Sequence, residues 1–171
     1  VAAMTTSNGE CSGDVIDGGC WRVSVDPVDG AIVALVETAT GRVLADADHP
    51  LGLLGYQSFD AADYERFYAG LTPVPDDEWW ARWDNTKPGI DACGAASGWW
   101  TATPVRVVAV DPPSVTTASV LVELAFPPEA VALGAPPAVW ARWAAGLDAE
   151  SIAVEVAWPD KPATRLPEAT W

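Results

Sequence analysis

The stretch CWRVSVDPVDGAIVALVETATGRVLAD, residues 20–46, constrains this chain more than any other. In its first six residues Cys20, Arg22 and Ser24 alternate with Trp21, Val23 and Val25. That is the period-2 pattern of a strand with one buried face, and a helix cannot satisfy it. In DPVDG, Pro27 presets φ and Asp29-Gly30 supplies the residues a hairpin turn requires. AIVALVE returns as a second strand, Thr40-Gly41 turns the chain again, and RVLAD makes a third. Residues 20–46 therefore read as a β-meander.

The remaining chain extends the same texture. LGLLGYQSF (51–59) is apolar and aromatic enough for a buried strand. Asp60 offers an N-cap to AADYERFYAGL, where Tyr64, Phe67, Tyr68 and Leu71 fall at helical spacing and Gly70 stands near the end. VRVVAV (105–110) resumes the sheet. In SVLVELAF the residues Val120, Val122, Leu124 and Phe126 share one face. PPAVWARWAA (136–145) is a further strand, and SIAVEVAW sets Ile152, Val154, Val156 and Trp158 on one side. Closely spaced strands with one short helix near 60–71 indicate a mainly β chain, an antiparallel β-sandwich. Residues 1–19 read as a loose lead-in and 20–171 as a partial sandwich domain. Residues 72–104, rich in Pro, Gly, Trp and acids without a sustained period, read as a long loop.

With 24 acidic residues against 9 basic ones, the chain carries a net charge of −15. A phosphate backbone or an anionic membrane surface would be repelled, which excludes nucleic acid and membrane as expected partners. Neutral ligands such as sugars are compatible with it. Residues 1–10 lack the basic start and apolar middle of a secretory signal. Three cysteines cannot all pair within one chain. Cys11 and Cys20 flank a short glycine-rich loop and could close it in an oxidising compartment; free thiols in a cytoplasmic protein fit equally well. A zinc site is not expected, because CxxC spacing is missing and His49 is the one histidine.

The ordered set of strand, DPVDG hairpin, second strand and TGR turn resembles the start of the C-terminal β-domain of family 38 glycoside hydrolases, the α-mannosidase type. HPLGLLGYQSF, the DYERF helix, KPG (87–89) and DKPATRLPEATW are closer to a family-38-like subgroup of unknown function. The likeness spans roughly residues 20–171. It implies a galactose-mutarotase-like sandwich and a catalytic barrel elsewhere in a longer protein. It also implies that Trp171, beyond three stiffening prolines, is an interior point of that protein and leaves an edge open to self-association. The function so implied is that of a non-catalytic module supporting the barrel and framing a carbohydrate cleft, with no cofactor of its own. The other class considered is a stand-alone carbohydrate-binding module.

Candidate residues follow from the chemistry each reading needs. Family 38 catalysis relies on barrel residues that this sequence does not contain, so no catalytic residue is assigned. Asp46, Asp48 and His49 adjoin, but a metal needs three or four convergent ligands, and a turn before LGLLGY accounts for them. Asp76-Asp77-Glu78 read as a solvated face. Trp79, Trp80, Trp83, Trp99 and Trp100 cluster in the 72–104 segment. An indole face stacks on the C–H face of a pyranose while nearby carboxylates accept its hydroxyls, so these five are the carbohydrate-contact candidates, against burial in the core. Asp160, Lys161, Arg165 and Glu168 form the remaining group, either reaching toward a cleft or clamping a proline-stiffened crossover.

Overall fold

The meander is present as its alternation requires. In the computed structural model, which describes residues 14–18, 20–71, 89–110, 117–146, 151–164 and 168–170, Trp21–Val25 forms β2, Ile32–Glu37 β3 and Val43–Ala45 β4. Trp21, Val23 and Val25 are buried while Arg22 is exposed. Gly30 closes the hairpin at φ +75°, the left-handed conformation that favours glycine. Its N–H donates to Asp26 O at 2.9 Å, and Asp26 Oδ1 and Asp29 Oδ1 accept from Val28 N and Ala31 N. A register shift between Ser24 and Val25 leaves Val33 as an extra residue in β3. The bulge resets the parity, so Ile32 and Leu35, three apart, both reach the core.

A strand not anticipated, β1 (Asp14–Gly18), precedes the meander and pairs antiparallel with β2. Backbone pairing at a sheet edge needs no alternating side chains, which is why DVIDG read as lead-in. These four strands form one sheet in chain order. A second sheet has the order β10-β9-β8-β7, from β7 (Thr103–Val110), β8 (Thr117–Ala125), β9 (Ala138–Gly146) and β10 (Ile152–Ala157). A third joins β11 (Glu168–Thr170), β5 (Gly55–Ser58) and β6 (Gly98–Thr101) in that order. All pairings are antiparallel, so the chain is the mainly β, antiparallel fold its sequence indicates.

One apolar core serves all three sheets. Val23, Ile32 and Leu35 from the first meet Val120, Val122, Leu124, Val139 and Trp143 from the second, and Tyr56 enters from the third. Each large side chain fully buried there contributes roughly 1.5–3 kcal/mol relative to exposure. Val120, Val122, Leu124 and Phe126 are all buried, as their spacing demands. The opposite face of the second sheet is a polar ladder. Arg106 pairs with Glu123 at 3.2 Å and stands over the Trp140 ring, and Arg142 pairs with Glu155 at 3.0 Å.

Two expectations are corrected, and two features are added to the reading. The strand expected over 51–59 is confined to Gly55–Ser58. Leu51 makes an isolated bridge to Ile32, and Gly52 takes φ +74° beneath the Trp143 indole, where a Cβ would lie 2.5 Å from the ring. The segment 72–104 contains a regular strand, β6, after a 3-10 turn at Ile90–Ala92; residues 72–88 lie outside the described ones. A five-residue helix, α2 (Pro128–Ala132), follows β8 with Pro128 in its first turn. The apolar side of β10 faces the core side of its sheet, with Val154 opposite Trp143 and Val156 opposite Ala141. Yet Val154, Val156 and the following Trp158 are exposed on this edge strand.

The helix α1 (Ala61–Leu71) is where its periodicity put it. Asp60 caps it reciprocally with Asp63: Asp63 N donates to Asp60 Oδ1 at 2.9 Å, and Asp60 N donates to Asp63 Oδ2 at 3.0 Å. Two orphan donors of the first turn are thereby satisfied. Phe67, expected on the packed side, is 56% exposed.

Candidate functional site

Adjacent residues of a strand must face opposite sides of the sheet. In β6 that rule separates the Trp99-Trp100 pair. Trp100 is opposite Tyr56 and turns inward, where its ring folds back over Gly98 and lies 6.3 Å from the Tyr56 ring. Tyr56 in turn meets Phe126 edge-on at 6.0 Å and donates its hydroxyl to Leu133 O at 2.8 Å. Tyr56 and Phe126 are buried and Trp100 is partly buried against them, which joins β5 and β6 to the core.

Trp99 is opposite Gln57 and turns outward, 53% exposed. Its indole runs diagonally across the strand pair onto Gly55, where a Cβ would lie 2.6 Å from Cζ2 and 2.8 Å from Cη2. Only a glycine permits that approach. The indole is seated there on backbone, and about half of the side chain stays exposed. Thr101, opposite Gly55, and Gln57 are on the same side of the sheet by register. The result is a held aromatic platform bordered by a hydroxyl and an amide, each able to donate and accept.

Beyond the far end of β5 lies a cavity of about 460 Å³, lined by Phe59, Asp63, Tyr64, Arg66 and Phe67. The size falls within the range of small-molecule sites. Arg66 is ion-paired with Asp63 one turn earlier. The backbone N–H of Asp60, the hydroxyl of Ser97 and the Arg66 guanidinium hold the Asp63 carboxyl below its ordinary range. It stays ionised, and so is an acceptor with no proton to give as a general acid.

The other candidates fare differently. Asp46, Asp48 and His49 form a closed turn: Asp46 Oδ1 accepts from His49 N at 2.8 Å and Asp48 N at 3.0 Å. The same oxygen lies 3.2 Å from His49 Nδ1. The His49 backbone donor, first among these, lowers the Asp46 carboxyl below its ordinary range. Among the described residues no group of three or more His, Cys, Asp or Glu side chains is arranged to hold a metal. Trp79, Trp80, Trp83, Asp76-Asp77-Glu78, Cys11 and Arg165 lie outside the described residues. Cys20 is half-buried against the core, and the exposed Cys93 donates its thiol to Ile90 O at 3.1 Å.

Of the polar group near the C-terminus, Asp160 is exposed in the left-handed conformation at φ +59°. Lys161 is half-buried and lines an apolar groove of about 270 Å³ with Leu54, Phe126, Pro136, Val156 and Trp158. Glu168 opens β11 opposite Ser58. Sequence reasoning gave no reason to single out Phe59, Tyr64 or Phe67 as a ligand-facing set. The signal was there in weak form, since α1 has three aromatic positions and a short helix can bury few of them.

One family model, described as Domain of unknown function (DUF5054), matches residues 5–153. It carries no glycoside hydrolase label, so the family 38 resemblance rests on the motifs quoted above. No curated protein and no solved structure matches the chain.

Proposed function

The chain belongs to the family described as Domain of unknown function (DUF5054), and from that premise we propose a non-catalytic β-module that presents an aromatic platform to carbohydrate. The observation that supports this reading is Trp99, half-exposed on the outer side of β6 with its indole over Gly55. A pyranose offers a C–H face to stack on such a ring and hydroxyls for Gln57 and Thr101 beside it. The net charge of −15 favours neutral glycans over phosphorylated or carboxylated ones. The resemblance to the C-terminal domain of family 38 glycoside hydrolases, with its galactose-mutarotase-like sandwich, points to the same ligand class. On that resemblance the module frames a cleft whose catalytic residues belong to another domain.

The test is a titration of the 171-residue chain with neutral mono- and oligosaccharides, followed by the indole N–H resonances and by calorimetry. Saturable binding that Trp99→Ala removes, with the fold intact by circular dichroism, is the expected result. Binding that survives Trp99→Ala would remove the platform from the reading.

A second reading rests on β10. Val154, Val156 and Trp158 form an open apolar ledge continuous with the Lys161 groove, and in the proposed longer protein the catalytic domain is the partner that covers it. Alone, the chain would then self-associate through this ledge. Sedimentation should show association weakened by Trp158→Ser; a strictly monomeric chain at high concentration would count against it.

A further inference from the structure

Sheet edges that do not pair with other chains carry a guard: short length, a bulge, a proline or an uncompensated charge. Among the described residues every edge strand but β10 has one. β4, β6 and β11 have three or four residues each. β1 has a register shift and carries Asp14 and Asp17. β7, at one end of the second sheet, has Pro104 and a bulge between Pro104 and Arg106. β10, at the other end, has no proline and no bulge. Its six residues pair with β9 without a shift, from Ile152 opposite Ala145 to Ala157 opposite Trp140. Glu155 is its one charge, and Arg142 of β9 neutralises it at 3.0 Å. From Ala153 to Ala157 every residue is exposed, whichever side of the sheet it faces.

Deepening the reading in which this chain self-associates at β10, we infer that two copies join edge to edge, β10 antiparallel to β10 about a two-fold axis, with Val154 opposite the partner's Val154. Alternation limits the possible registers. Directly opposite residues of an antiparallel pair share one side of the sheet, so a symmetric pair must set one residue opposite itself. Centring on Glu155 would put two carboxylates face to face, which is destabilising. Centring on Val154 pairs Ile152 with the partner's Val156 on the apolar side and Ala153 with the partner's Glu155 on the other. Every apolar pair is then β-branched, the type that packs well across strands. Glu155 keeps Arg142 and meets only an alanine methyl. β10 is thus its own complement, and the contact is locally neutral although each chain carries −15. The two four-stranded sheets become one continuous sheet, ended on both sides by the guarded β7.

Sedimentation of the 171-residue protein, across concentration and from low to high NaCl, reads the association. A monomer–dimer equilibrium that strengthens with salt is expected, since screening weakens the repulsion between two chains of −15 while the pairing itself is apolar. Val154→Lys sets an ammonium opposite its own copy and should weaken dimerisation about tenfold or more. Val105→Lys, the same change of charge on the β7 edge, should leave it unaltered. Both valines are exposed, so circular dichroism should show each fold intact. Register is read by single cysteines in a Cys11→Ala, Cys20→Ala, Cys93→Ala background. Opposite strand partners have Cα atoms about 4.5–5.5 Å apart, within disulfide reach, whereas Glu155 and the partner's Glu155 would be diagonal at about 7–8 Å. Val154→Cys should therefore oxidise to a covalent dimer and Glu155→Cys should not. In the unsubstituted protein, β10 amides should gain hydrogen-exchange protection as concentration rises. The reverse cysteine pattern, or dimers that dissociate with salt, would overturn this pairing. Association lost in Trp158→Ser but retained in Val154→Lys would overturn it too, while leaving the ledge reading in place. A Val154→Cys dimer with association unaffected by Trp158→Ser would support the pairing and remove the ledge. A strictly monomeric chain overturns both.

Discussion

Gly55→Ala separates the two roles that the β5–β6 pair performs, folding and display. The new methyl would lie 2.6 Å from Trp99 Cζ2, so the indole must move outward by about 1 Å to reach ordinary contact. Gly55 has no positive φ to lose, and its other neighbours stay in place. Trp99 is 53% exposed, so a little under half of the side chain is covered. Aromatic side chains bury at most about 250 Å², which puts the covered part on the order of 100 Å². At about 25 cal/mol per Å², complete ejection of the ring would cost about 2.5 kcal/mol. A tilt of 1 Å forfeits only a part of that, and a glycine-to-alanine change in a permitted conformation returns about 0.4–1 kcal/mol through the unfolded chain. Net stability should therefore change by no more than about 1 kcal/mol. Display is affected more, because the displaced ring changes its place relative to Gln57 and Thr101, which lie on the same side of the sheet. Oligosaccharide affinity should fall roughly tenfold, about 1.4 kcal/mol. Urea unfolding followed by circular dichroism reads the first quantity and calorimetric titration the second. A loss of stability above about 3 kcal/mol would mean that the ring is wedged in packing rather than seated on a surface. Unchanged affinity with an unmoved Trp99 indole resonance would refute the platform geometry itself.

Gly30→Ala and Gly41→Ala form a matched pair, since both glycines have φ above +70°. A Cβ on Gly41 meets nothing within 4 Å, whereas one on Gly30 lies 2.7 Å from Leu124 Cδ2. Gly41→Ala should lose about 1–2 kcal/mol in urea unfolding and Gly30→Ala about 2–5, the excess measuring how tightly the hairpin seats on the second sheet. Asp60→Ala removes one half of the reciprocal cap and should cost about 1 kcal/mol, seen as reduced helical signal and a lower urea midpoint. Asp63 has a folded-state carboxyl below its unfolded value, so its contribution is complete above about pH 3.9 and lost as the pH falls through the depressed value. Asp63→Asn should flatten that part of the acid-unfolding curve, and an unaltered acid limb would show that the carboxylate is not held as described.

The meander and the inner strands were legible because two local signals agreed there. Alternation set the faces of Trp21, Val23 and Val25, and Asp29-Gly30 set the turn between the strands. The α1 start was legible for the same reason, Asp60 standing just before a helical period. Where only one signal existed, the reading ran too far. LGLLGY looked like continuous strand because nothing local says that Gly52 must lie beneath Trp143, a residue of β9. β1 was invisible because an edge strand held by backbone pairing needs no pattern of its own. The alternation of SIAVEVAW correctly gave its apolar side, but alternation does not say whether that side of an edge strand is covered.

The tryptophans mark the same boundary more sharply. A Trp-Trp pair in a strand must place one ring on each side of the sheet, so GWWT already implied that one of the two would be displayed unless a second layer covered it. The sequence does not say which ring is displayed, or on what it rests. Trp100 settles inward against Tyr56, which in turn meets Phe126, and Trp99 is left outside over Gly55, a residue distant in the chain. Glycine is thus read locally as flexibility and in the fold as a seat. Both outward and inward rings use one, Gly55 under Trp99 and Gly98 under Trp100. The seat constrains the orientation of a side chain that solvent would otherwise leave free among rotamers, and holding an exposed ring still lowers the entropic cost of stacking a ligand on it. That preorganisation, more than the number of tryptophans, is what makes this face of the third sheet the one to test.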